Sequence, residues 1–324
     1  MKVFVIGGAG YIGSHVCKAL KAAGFIPIAF DNLINGHEWA VKWGPLITGD
    51  VLDSSALDTA LLKHQPQAVI HLASHIDVRE SMTNPLKYYQ NNVVGTFTLL
   101  QAMKRHHIDK IVFSSTAAVY GHPVKVPIEE NQPCQPINVY GKTKWMAEEM
   151  IRDCQLKSVM LRYFNAAGAD ASAEIGEAHT PETHLIPLAI QAALGKTGGK
   201  NSFKLFGTDH STPDGTPIRD FIHVVDLAEA HVQALQWLLQ RDLQGGTQAT
   251  LNLGSGKGHS VAEVIAMIEK KIGRAVPHEV IDRNPSDPPA LVASIAKAQE
   301  ILNWTPKQSD LETIISSAIE WHKR

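Results

Sequence analysis

The chain has 324 residues, of which 44% are hydrophobic and 19% charged, as in an ordinary globular protein. Its 30 basic and 32 acidic residues leave a formal charge of −2, so we expect neither a nucleic-acid nor a membrane partner. The length favours two domains or one elaborated α/β domain. Cys17, Cys134 and Cys154 lack metal-ligand spacing and are odd in number, which favours a reduced, cytoplasmic protein.

The N-terminal stretch predicts a strand, a glycine turn and a helix. Val3 to Ile6 form a β-favouring apolar run, and the following residues read GGAGYIG. Gly7, Gly10 and Gly13 fit the pattern GxxGxxG. Gly8, Gly10 and Gly13 fit the overlapping pattern GxGxxG. Glycine lets the backbone approach a pyrophosphate, at which the helix N-terminus points free N–H groups. This turn therefore predicts dinucleotide binding.

An acidic residue strengthens that prediction. Asp31 ends the second predicted strand, 18 residues after Gly13. A carboxylate there can accept hydrogen bonds from both ribose hydroxyls and would repel a 2′-phosphate, which favours NAD over NADP. The alternative is a turn without phosphate in which Asp31 serves as a cap.

Strands and helices then alternate, which predicts a doubly wound parallel sheet of the Rossmann type. We expect a helix at 86–106 to bury Val94, Phe97 and Leu100 or Gln101. The carboxyl ends of the strands should bring Asp31, Asp50, Ala73 and Ser114–Thr116 to one rim. The predicted strands lie near 46–48, 68–71, 110–114, 158–161, 203–206 and 250–253, and the other helices near 54–63, 138–154, 187–194 and 225–239.

The alternation stops after Asn165, where Gly, Pro, Thr and His become frequent. We expect an NAD-binding Rossmann domain at 1–165 plus about 219–253. A smaller, discontinuous α/β substrate-binding lobe should comprise about 166–218 plus 254–324. In that lobe, Ser260 with Glu263 and Ser309 with Glu312 read as capping boxes that open helices.

Tyr140 and Lys144 are the candidate catalytic pair. At i and i+4 on a helix they share one face. An ammonium and a positive nicotinamide ring beside the phenol should lower its pKa from the usual value of about 10, giving a base for a hydroxyl group. Thr116 could bridge the substrate oxygen and Tyr140. The alternatives are a solvated helix face for the pair and turn capping for the hydroxyls at 114–116.

Together these motifs resemble the extended short-chain dehydrogenase/reductase family, that is, the NAD-dependent epimerase/dehydratase family. The resemblance spans nearly the whole chain, and its later segments are more specific than the glycine turn. They are NNVVGT (91–96), FSSTAAVYG (113–121), YGKTK (140–144), LRYFNAAGA (161–169), HLIP (184–187), LFG (205–207), DGTPIRDFIHVVDLA (214–228) and LNLGSG (251–256).

The resemblance implies the site residues. The catalytic ones are Tyr140 as base, Lys144 and Thr116. The NAD-binding residues are Gly7, Gly10, Tyr11, Ile12, Gly13, Asp31, Asn32, Asp50, Val51, Ala73, Asn92, Tyr140 and Lys144. The substrate-binding residues are Thr116, Asn165, His184, Leu185, Phe206, Arg219, Arg283 and Asp287. An ion pair with Asp220 or another carboxylate is the alternative role for Arg219.

The activity implied is C4 epimerisation that interconverts UDP-glucose and UDP-galactose through a 4-keto intermediate with bound NAD. The partners implied are a UDP-sugar and a second copy of the chain, paired through the helices at 86–106 and 138–154. The alternatives are another NAD-dependent nucleotide-sugar epimerase or decarboxylase, acting on UDP-GlcNAc or UDP-glucuronate, and a non-catalytic NAD(H)-sensing Rossmann protein.

Several positions depart from the family pattern or need separate comment. Asn284 follows Arg283 where the family usually has a second arginine. Leu291 replaces a tyrosine and leaves room for an N-acetyl group on the sugar. Ala117 and Ala118 stand where dehydratases need carboxylates, which argues against dehydration. We expect no metal site, because the 16 histidines lack an HExxH or a cysteine-rich pattern.

Overall fold

A computed structural model describes residues 1–196, 203–240, 247–283 and 287–324. The strands are β1 (Lys2–Ile6), β2 (Ile26–Asp31), β3 (Leu46–Thr48), β4 (Ala68–His71), β5 (Lys110–Thr116), β6 (Lys157–Tyr163), β7 (Asn165–Ala167), β8 (Phe203–Phe206), β9 (Ile218–His223), β10 (Gln248–Leu253), β11 (Gly258–Ser260), β12 (His278–Ile281) and β13 (Ala290–Leu291). The helices are α1 (Tyr11–Ala22), α2 (Ser54–His64), α3 (Val78–Thr83), α4 (Pro85–Tyr88), α5 (Gly95–Arg105), α6 (Val139–Asp153), α7 (Leu185–Ala193), α8 (Val224–Gln240), α9 (Val261–Ile272), α10 (Ala296–Leu302) and α11 (Leu311–His322).

The central sheet has seven strands in the order β10-β6-β5-β4-β1-β2-β3, all paired in parallel. This arrangement confirms the predicted doubly wound Rossmann fold. The strand order reverses between β1 and β4. From β1 the chain builds the sheet outward through β2 and β3, and from β4 it builds the sheet in the other direction through β5, β6 and β10. A crevice at the carboxyl ends of such strands is where a ligand binds in open α/β sheets.

Side-chain alternation along the strands builds two hydrophobic cores. On β1, Val3 and Val5 face one core with α1 and α8, whereas Phe4 and Ile6 face the other. The second core is completed by α2, α5 and α6. Because both faces are covered, the strands carry nearly continuous apolar runs, as parallel sheets require.

The helix predicted at 86–106 is interrupted, and its expected inner stripe is wrong at Val94 and Phe97, whereas Leu100 is buried as predicted. A π-helical stretch (Tyr89–Val94) separates α4 from α5. Val94 and Phe97 are exposed, Phe97 by 50%, while Leu99 and Met103 are fully buried. Both sets of residues have helical spacing, so spacing did not reveal which set faces the sheet. The π-helical stretch also changes the helical phase.

A smaller sheet is organised around β9. It pairs in parallel with β7 and β13 and antiparallel with β11, and β8 with β12 form a separate parallel pair. Helices α7, α9 and α11 pack together in a third core. The capping box of Ser260 and Glu263 is confirmed at α9.

The second predicted box is wrong. Asp310, rather than Ser309, caps α11 by accepting the N–H of Thr313. The Ser309 hydroxyl instead donates to the Asp226 carboxylate. Asp310 offers the same capping chemistry one position later, which the sequence pattern did not separate.

The division into two lobes remains our proposal, and strand pairing suggests where its boundary lies. Strand β9 pairs within the smaller sheet, α8 packs on the Rossmann core, and β10 joins the main sheet. Near the C-terminus, Ala298, Leu302 and Trp304 also pack into the Rossmann core. Within the described ranges, no helix combines the length and apolarity needed to cross a membrane.

Candidate active site

A cavity of about 840 Å³ opens at the carboxyl ends of the central strands and reaches β9 of the smaller sheet. Most of the predicted site residues belong to the lining of this cavity, the cavity wall. Those lining it are Gly7, Gly10, Tyr11, Ile12, Gly13, Asp31, Asn32, Val51, Ala73, Thr116, Tyr140, Asn165, His184, Arg219 and Asp287. Asp50, Asn92, Lys144, Leu185, Phe206 and Arg283 lie outside this wall.

The three glycines of the turn serve different purposes. Gly7 has φ +82°, and a Cβ on Gly13 would lie 2.0 Å from the Gly7 carbonyl oxygen. These two glycines therefore allow the turn and the helix to pack. Gly10 precedes α1, and its Cβ would meet only the Gly7 oxygen at 3.4 Å. The space in front of Gly10 is a cradle into which a pyrophosphate fits, at the N-terminus of α1.

Alanine substitutions should separate these purposes. Gly13→Ala should reduce soluble yield and thermal stability, because backbone must move to relieve the overlap. Gly10→Ala should leave the melting temperature of the cofactor-free protein almost unchanged while lowering the NAD that co-purifies. Thermal unfolding and NAD content after denaturation measure both effects. Equal NAD content in Gly10→Ala and wild type would contradict the assignment of the cradle.

The acidic rim is pre-organised by the backbone. Asp31 accepts the N–H groups of Ala9 and Leu33, each at 2.9 Å, and retains further lone pairs toward the cavity. The Asn32 amide donates to the Asp50 carboxylate at 3.0 Å. Asp50 therefore lies behind the cavity wall, where its carboxylate orients the Asn32 side chain. These contacts fit a carboxylate that accepts ribose hydroxyls, the role proposed for Asp31.

Asn92 is also placed behind the wall. Its amide oxygen accepts the His75 N–H at 2.9 Å, and its NH₂ group donates to the Thr143 hydroxyl at 3.0 Å. The side chain therefore joins the loop after β4 to helix α6. This placement supports the position of both elements without putting Asn92 in the cavity wall.

Tyr140 lies in the wall beside Thr116, on the first turn of α6. Asn138 caps this helix through the Gly141 N–H, which fixes the start of α6 near the end of β5. The predicted lowering of the phenol pKa includes the charge of a bound nicotinamide, so it stays a prediction, and the protein by itself acts in the opposite direction. Burial raises the pKa of Tyr140 to about 12, and only the hydrogen bond with Thr116 opposes this change.

Lys144 does little to oppose this rise in the pKa of Tyr140. Its side chain is buried beneath the wall, with Nζ 4.4 Å from the centroid of the Phe113 ring. Burial lowers the pKa of Lys144 to about 7, against the opposing influence of Glu148. An ammonium with a lowered pKa gives the phenolate weaker support, and spacing along the helix does not report this desolvation.

A hydroxyl at position 116 should set the pH dependence of the reaction. The Thr116 hydroxyl stabilises the Tyr140 phenolate, so Thr116→Ala should raise the phenol pKa. Because the deprotonated form is the base, the rise of kcat/KM with pH should move to higher pH. Thr116→Ser keeps the hydroxyl and should keep the profile. Coincident profiles for Thr116→Ala and wild type would contradict this role.

A buried ion-pair network beneath the wall was missed by the sequence analysis. Glu148 is fully buried and accepts two hydrogen bonds from Arg162, from Nε at 2.9 Å and from Nη2 at 2.7 Å. Arg152 and Ser115 also donate to Glu148. Since Ser115 precedes Thr116, this network supports the strand end that carries the site. The i, i+4 spacing of Glu148 and Arg152 was the available signal.

The cavity end near β9 carries the predicted substrate residues. Arg219 Nη1 donates to the carbonyl oxygens of Ile218 and Pro288, at 2.8 and 3.0 Å. Among the described residues Arg219 does not pair with Asp220, and the carboxylate whose charge acts on Arg219 is Asp287. Asp220 instead accepts backbone N–H groups of the 254–256 loop and of Ala293. Arg219 is therefore oriented by backbone, and its remaining N–H groups can serve an anion.

Three predicted substrate residues lie outside the wall near this end: Leu185, Phe206 and Arg283. The Phe206 ring is covered by Arg79, whose Cζ is 3.6 Å from the ring centroid, and Arg79 itself lines the cavity. Leu185 follows His184 and begins α7. Arg283 forms an ion pair with Asp209 at 3.3 Å, and Asn284 falls outside the described residues.

Two further wall residues, Glu177 and His179, come from a segment without helix or strand between β7 and α7. Sequence reasoning missed them because that segment has no periodicity. Backbone contacts hold it in place: Trp321 Nε1 donates to the Glu177 carbonyl at 2.7 Å, and His37 Nε2 lies 2.8 Å from that of Ala178. The segment thereby closes one side of the cavity.

Comparison with known proteins shows the family of this chain. A model of the NAD dependent epimerase/dehydratase family matches residues 3–254. The chain belongs to this family. The UDP-glucose 4-epimerase of Rhizobium meliloti (strain 1021) is 51% identical over 326 residues, covering 99% of this chain and 97% of that protein.

Solved structures of similar proteins extend the comparison within the NAD-dependent epimerase/dehydratase family. UDP-glucose 4-epimerase from Brucella ovis in complex with NAD has a TM-score of 0.94 at 46% identity, covering 98% of this chain and 97% of that one. The enzyme from Bifidobacterium longum in complex with NAD⁺ and UDP has a TM-score of 0.93 at 35% identity, covering 100% and 98%. The resemblance inferred from the motifs is thus confirmed.

Proposed function

We propose that this protein interconverts UDP-glucose and UDP-galactose by epimerisation at C4, through a 4-keto sugar, with NAD as a resident cofactor. The observation that carries the proposal is the placement of Tyr140 and Thr116 in the wall of one cavity that joins the glycine turn to Arg219. Full-length similarity to UDP-glucose 4-epimerases supports the same reaction.

The residues around the glycine turn fit NAD. Gly10 leaves space at the N-terminus of α1, and Asp31 offers carboxylate oxygens at the end of β2. When bound, NAD⁺ accepts a hydride from the sugar and returns it, and its positive ring favours a nearby anion. Because each turnover restores the starting cofactor, the protein gains from retaining it. We assign Tyr11, Ile12, Val51 and Ala73 to the walls of this cofactor site.

Tyr140 is the proposed base for the 4-hydroxyl of the sugar. The phenolate removes that proton as C4 is oxidised, and the phenol returns it when C4 is reduced from the opposite face. Thr116 stabilises the phenolate and orients the reacting hydroxyl. Lys144, one helical turn from Tyr140, supplies positive charge beneath the site.

The remaining wall residues are proposed to hold UDP while the sugar turns. Asn165 and His184 supply polar groups, Arg219 supplies a planar cation, and Asp287 supplies an acceptor, all at one end of the cavity. Leu185, Phe206 and Arg283 lie just behind and complete the proposed set. Firm nucleotide contacts with few sugar contacts would let the 4-keto sugar present either face.

Arg219 should affect binding more than chemistry. Arg219→Lys removes the bidentate fork but keeps a cation. We expect KM for UDP-galactose to rise by about 10-fold or more, which corresponds to the loss of one charge-assisted hydrogen bond, with a smaller change in kcat. Steady-state kinetics measures both values. An unchanged KM would remove Arg219 from the nucleotide site.

The direct test of the proposed reaction is product analysis. Purified protein with verified NAD content, given UDP-galactose, should form UDP-glucose. The absence of product would favour the NAD(H)-sensing alternative. Leu291 lines the cavity, so UDP-GlcNAc is a second candidate substrate, because a leucine leaves more space than a tyrosine. Parallel incubations with UDP-GlcNAc and UDP-glucuronate distinguish these substrates.

A homodimer is part of the proposal. Leu86, Val94, Phe97 and Met146 are exposed apolar residues on the π-interrupted helix and on α6. Exposed apolar patches of this kind often mark interfaces. Sedimentation analysis should give twice the chain mass of 35.3 kDa. A monomer at all concentrations would contradict the pairing.

We place the protein in the cytoplasm as a further part of the proposal. Cys17, Cys134 and Cys154 are all free thiols, which suits a reducing compartment. Fractionation of cells that express the untagged protein tests this location. Recovery outside the cytoplasmic fraction would contradict it.

A further inference from the structure

Four ligand-type side chains converge at the edge of the cavity. They are Glu177, His179, Glu182 and His184, all from the irregular segment that precedes α7. One nitrogen or oxygen atom from each lies within 4.8 Å of the others. Two imidazoles and two carboxylates are a donor set that suits Zn²⁺.

Four separations among these atoms can be compared with those around a four-coordinate ion, and the whole set lies within 4.8 Å. His184 Nδ1 lies 2.7 Å from Glu177 Oε1 and 3.1 Å from Glu182 Oε1. His179 Nδ1 lies 3.2 Å from Glu177 Oε1 and 3.9 Å from Glu182 Oε2. Tetrahedral ligands about 2.0–2.2 Å from zinc are separated from one another by about 3.3–3.5 Å. The observed distances fall on both sides of that range.

The cluster also contains an unsatisfied polar atom. The Glu182 side chain is only 5% exposed, and its Oε2 atom is buried without a hydrogen-bond partner. Its other oxygen accepts the backbone N–H groups of Thr183 and His184. The carboxylate is therefore fixed in orientation, with Oε2 directed toward His179. A buried carboxylate oxygen without a partner is costly, and a cation would satisfy it.

Charge balance gives a third argument. The Glu177 side chain is 4% exposed, so two nearly buried carboxylates lie side by side. Within the described ranges, their ion pairs are with His179 and His184. The cluster thus attracts a positive charge, which a proton or a metal ion can supply.

We propose that Glu177, His179, Glu182 and His184 bind one Zn²⁺ ion in a closed, structural site. Four protein ligands leave no coordination position for substrate, so the ion would not take part in hydride transfer. It would join the 177–179 part of the segment to the 182–184 part, just before α7. Since Glu177, His179 and His184 line the cavity, the ion would fix that wall.

Metal content is the first measurement. Untagged full-length protein, grown with added zinc and desalted, should contain about one zinc per chain by elemental analysis, because ligand convergence favours stoichiometric binding. His179→Ala and Glu182→Gln should contain less than about one-tenth of that amount. His106→Ala is the matched control, because His106 pairs with Asp58 at a separate, partly exposed surface.

Thermal unfolding with added ZnCl₂ is the second measurement. Zinc should raise the melting temperature of the chelator-treated wild type and of His106→Ala, but not that of Glu182→Gln. Glu182→Gln keeps the size and the Oε1 acceptor, so its circular dichroism spectrum should match wild type. Wild type that binds no zinc, or zinc retention equal in Glu182→Gln, would overturn the site. A proton-balanced ion-pair cluster would then be the correct description, while the epimerase test would be unaffected.

Discussion

Tyr140→Phe is expected to reduce kcat for UDP-galactose conversion by about 10³-fold, the range over which a positioned general base contributes. The substitution removes one oxygen atom from a buried side chain beside Thr116 and leaves the ring in place. Loss of the phenol should therefore affect proton transfer while NAD and UDP-sugar still bind. Steady-state rates and NAD content on the same preparation measure the two effects.

The control for this prediction is another tyrosine. Tyr89 begins the π-helical stretch and is not part of the cavity wall. Tyr89→Phe should retain wild-type turnover. Wild-type turnover in Tyr140→Phe would instead assign the base to a different group. A loss of turnover that is matched by a loss of NAD would indicate a structural rather than a chemical role.

Glu148→Gln is expected to destabilise the protein by about 3–5 kcal/mol, the usual cost of removing one partner from a buried ion pair. The Glu148 and Arg162 side chains are 0% and 4% exposed, so water cannot replace the lost carboxylate. Glutamine keeps the size of the side chain but leaves the guanidinium without its counter-charge. The urea midpoint at constant m-value measures the change.

Glu149→Gln provides the matched control one residue away. Glu149 pairs with Arg152, but its side chain is 53% exposed. Surface pairs contribute about 0–1 kcal/mol, so this change should shift the midpoint slightly. A loss below about 1 kcal/mol for Glu148→Gln would show that the network tolerates an uncompensated Arg162, against the expected penalty for buried charge.

Of these two residues, the sequence identifies Tyr140 but not Glu148. The role of Tyr140 followed from the i, i+4 spacing with Lys144 and from the motifs around it. The importance of Glu148 did not, because Arg162 lies on β6, and only the packing of β6 against α6 brings the two charges together. A sequence shows that both residues are charged, but it does not show that both are buried.

The sequence alone determined the elements and their chemistry. Strands, glycine turn, Asp31 and the tyrosine helix followed from local rules, because hydrophobic periodicity and glycine conformation act over a few residues. The family followed from motifs spread along the chain. Local patterns therefore sufficed for the Rossmann sheet, and most of the predicted site residues line the cavity.

Only the tertiary structure decided which faces are buried and what burial does to charge. It placed Val94 and Phe97 outside, buried the Tyr140 phenol so that the protein by itself raises its pKa, and brought Glu177 and Glu182 together with two histidines. The first two outcomes depend on burial, and the third depends on the conformation of one irregular segment that Trp321 and His37 hold in place. Burial and this conformation are both set by the packing of the whole chain, because the environment of a side chain comes mainly from residues far away in sequence.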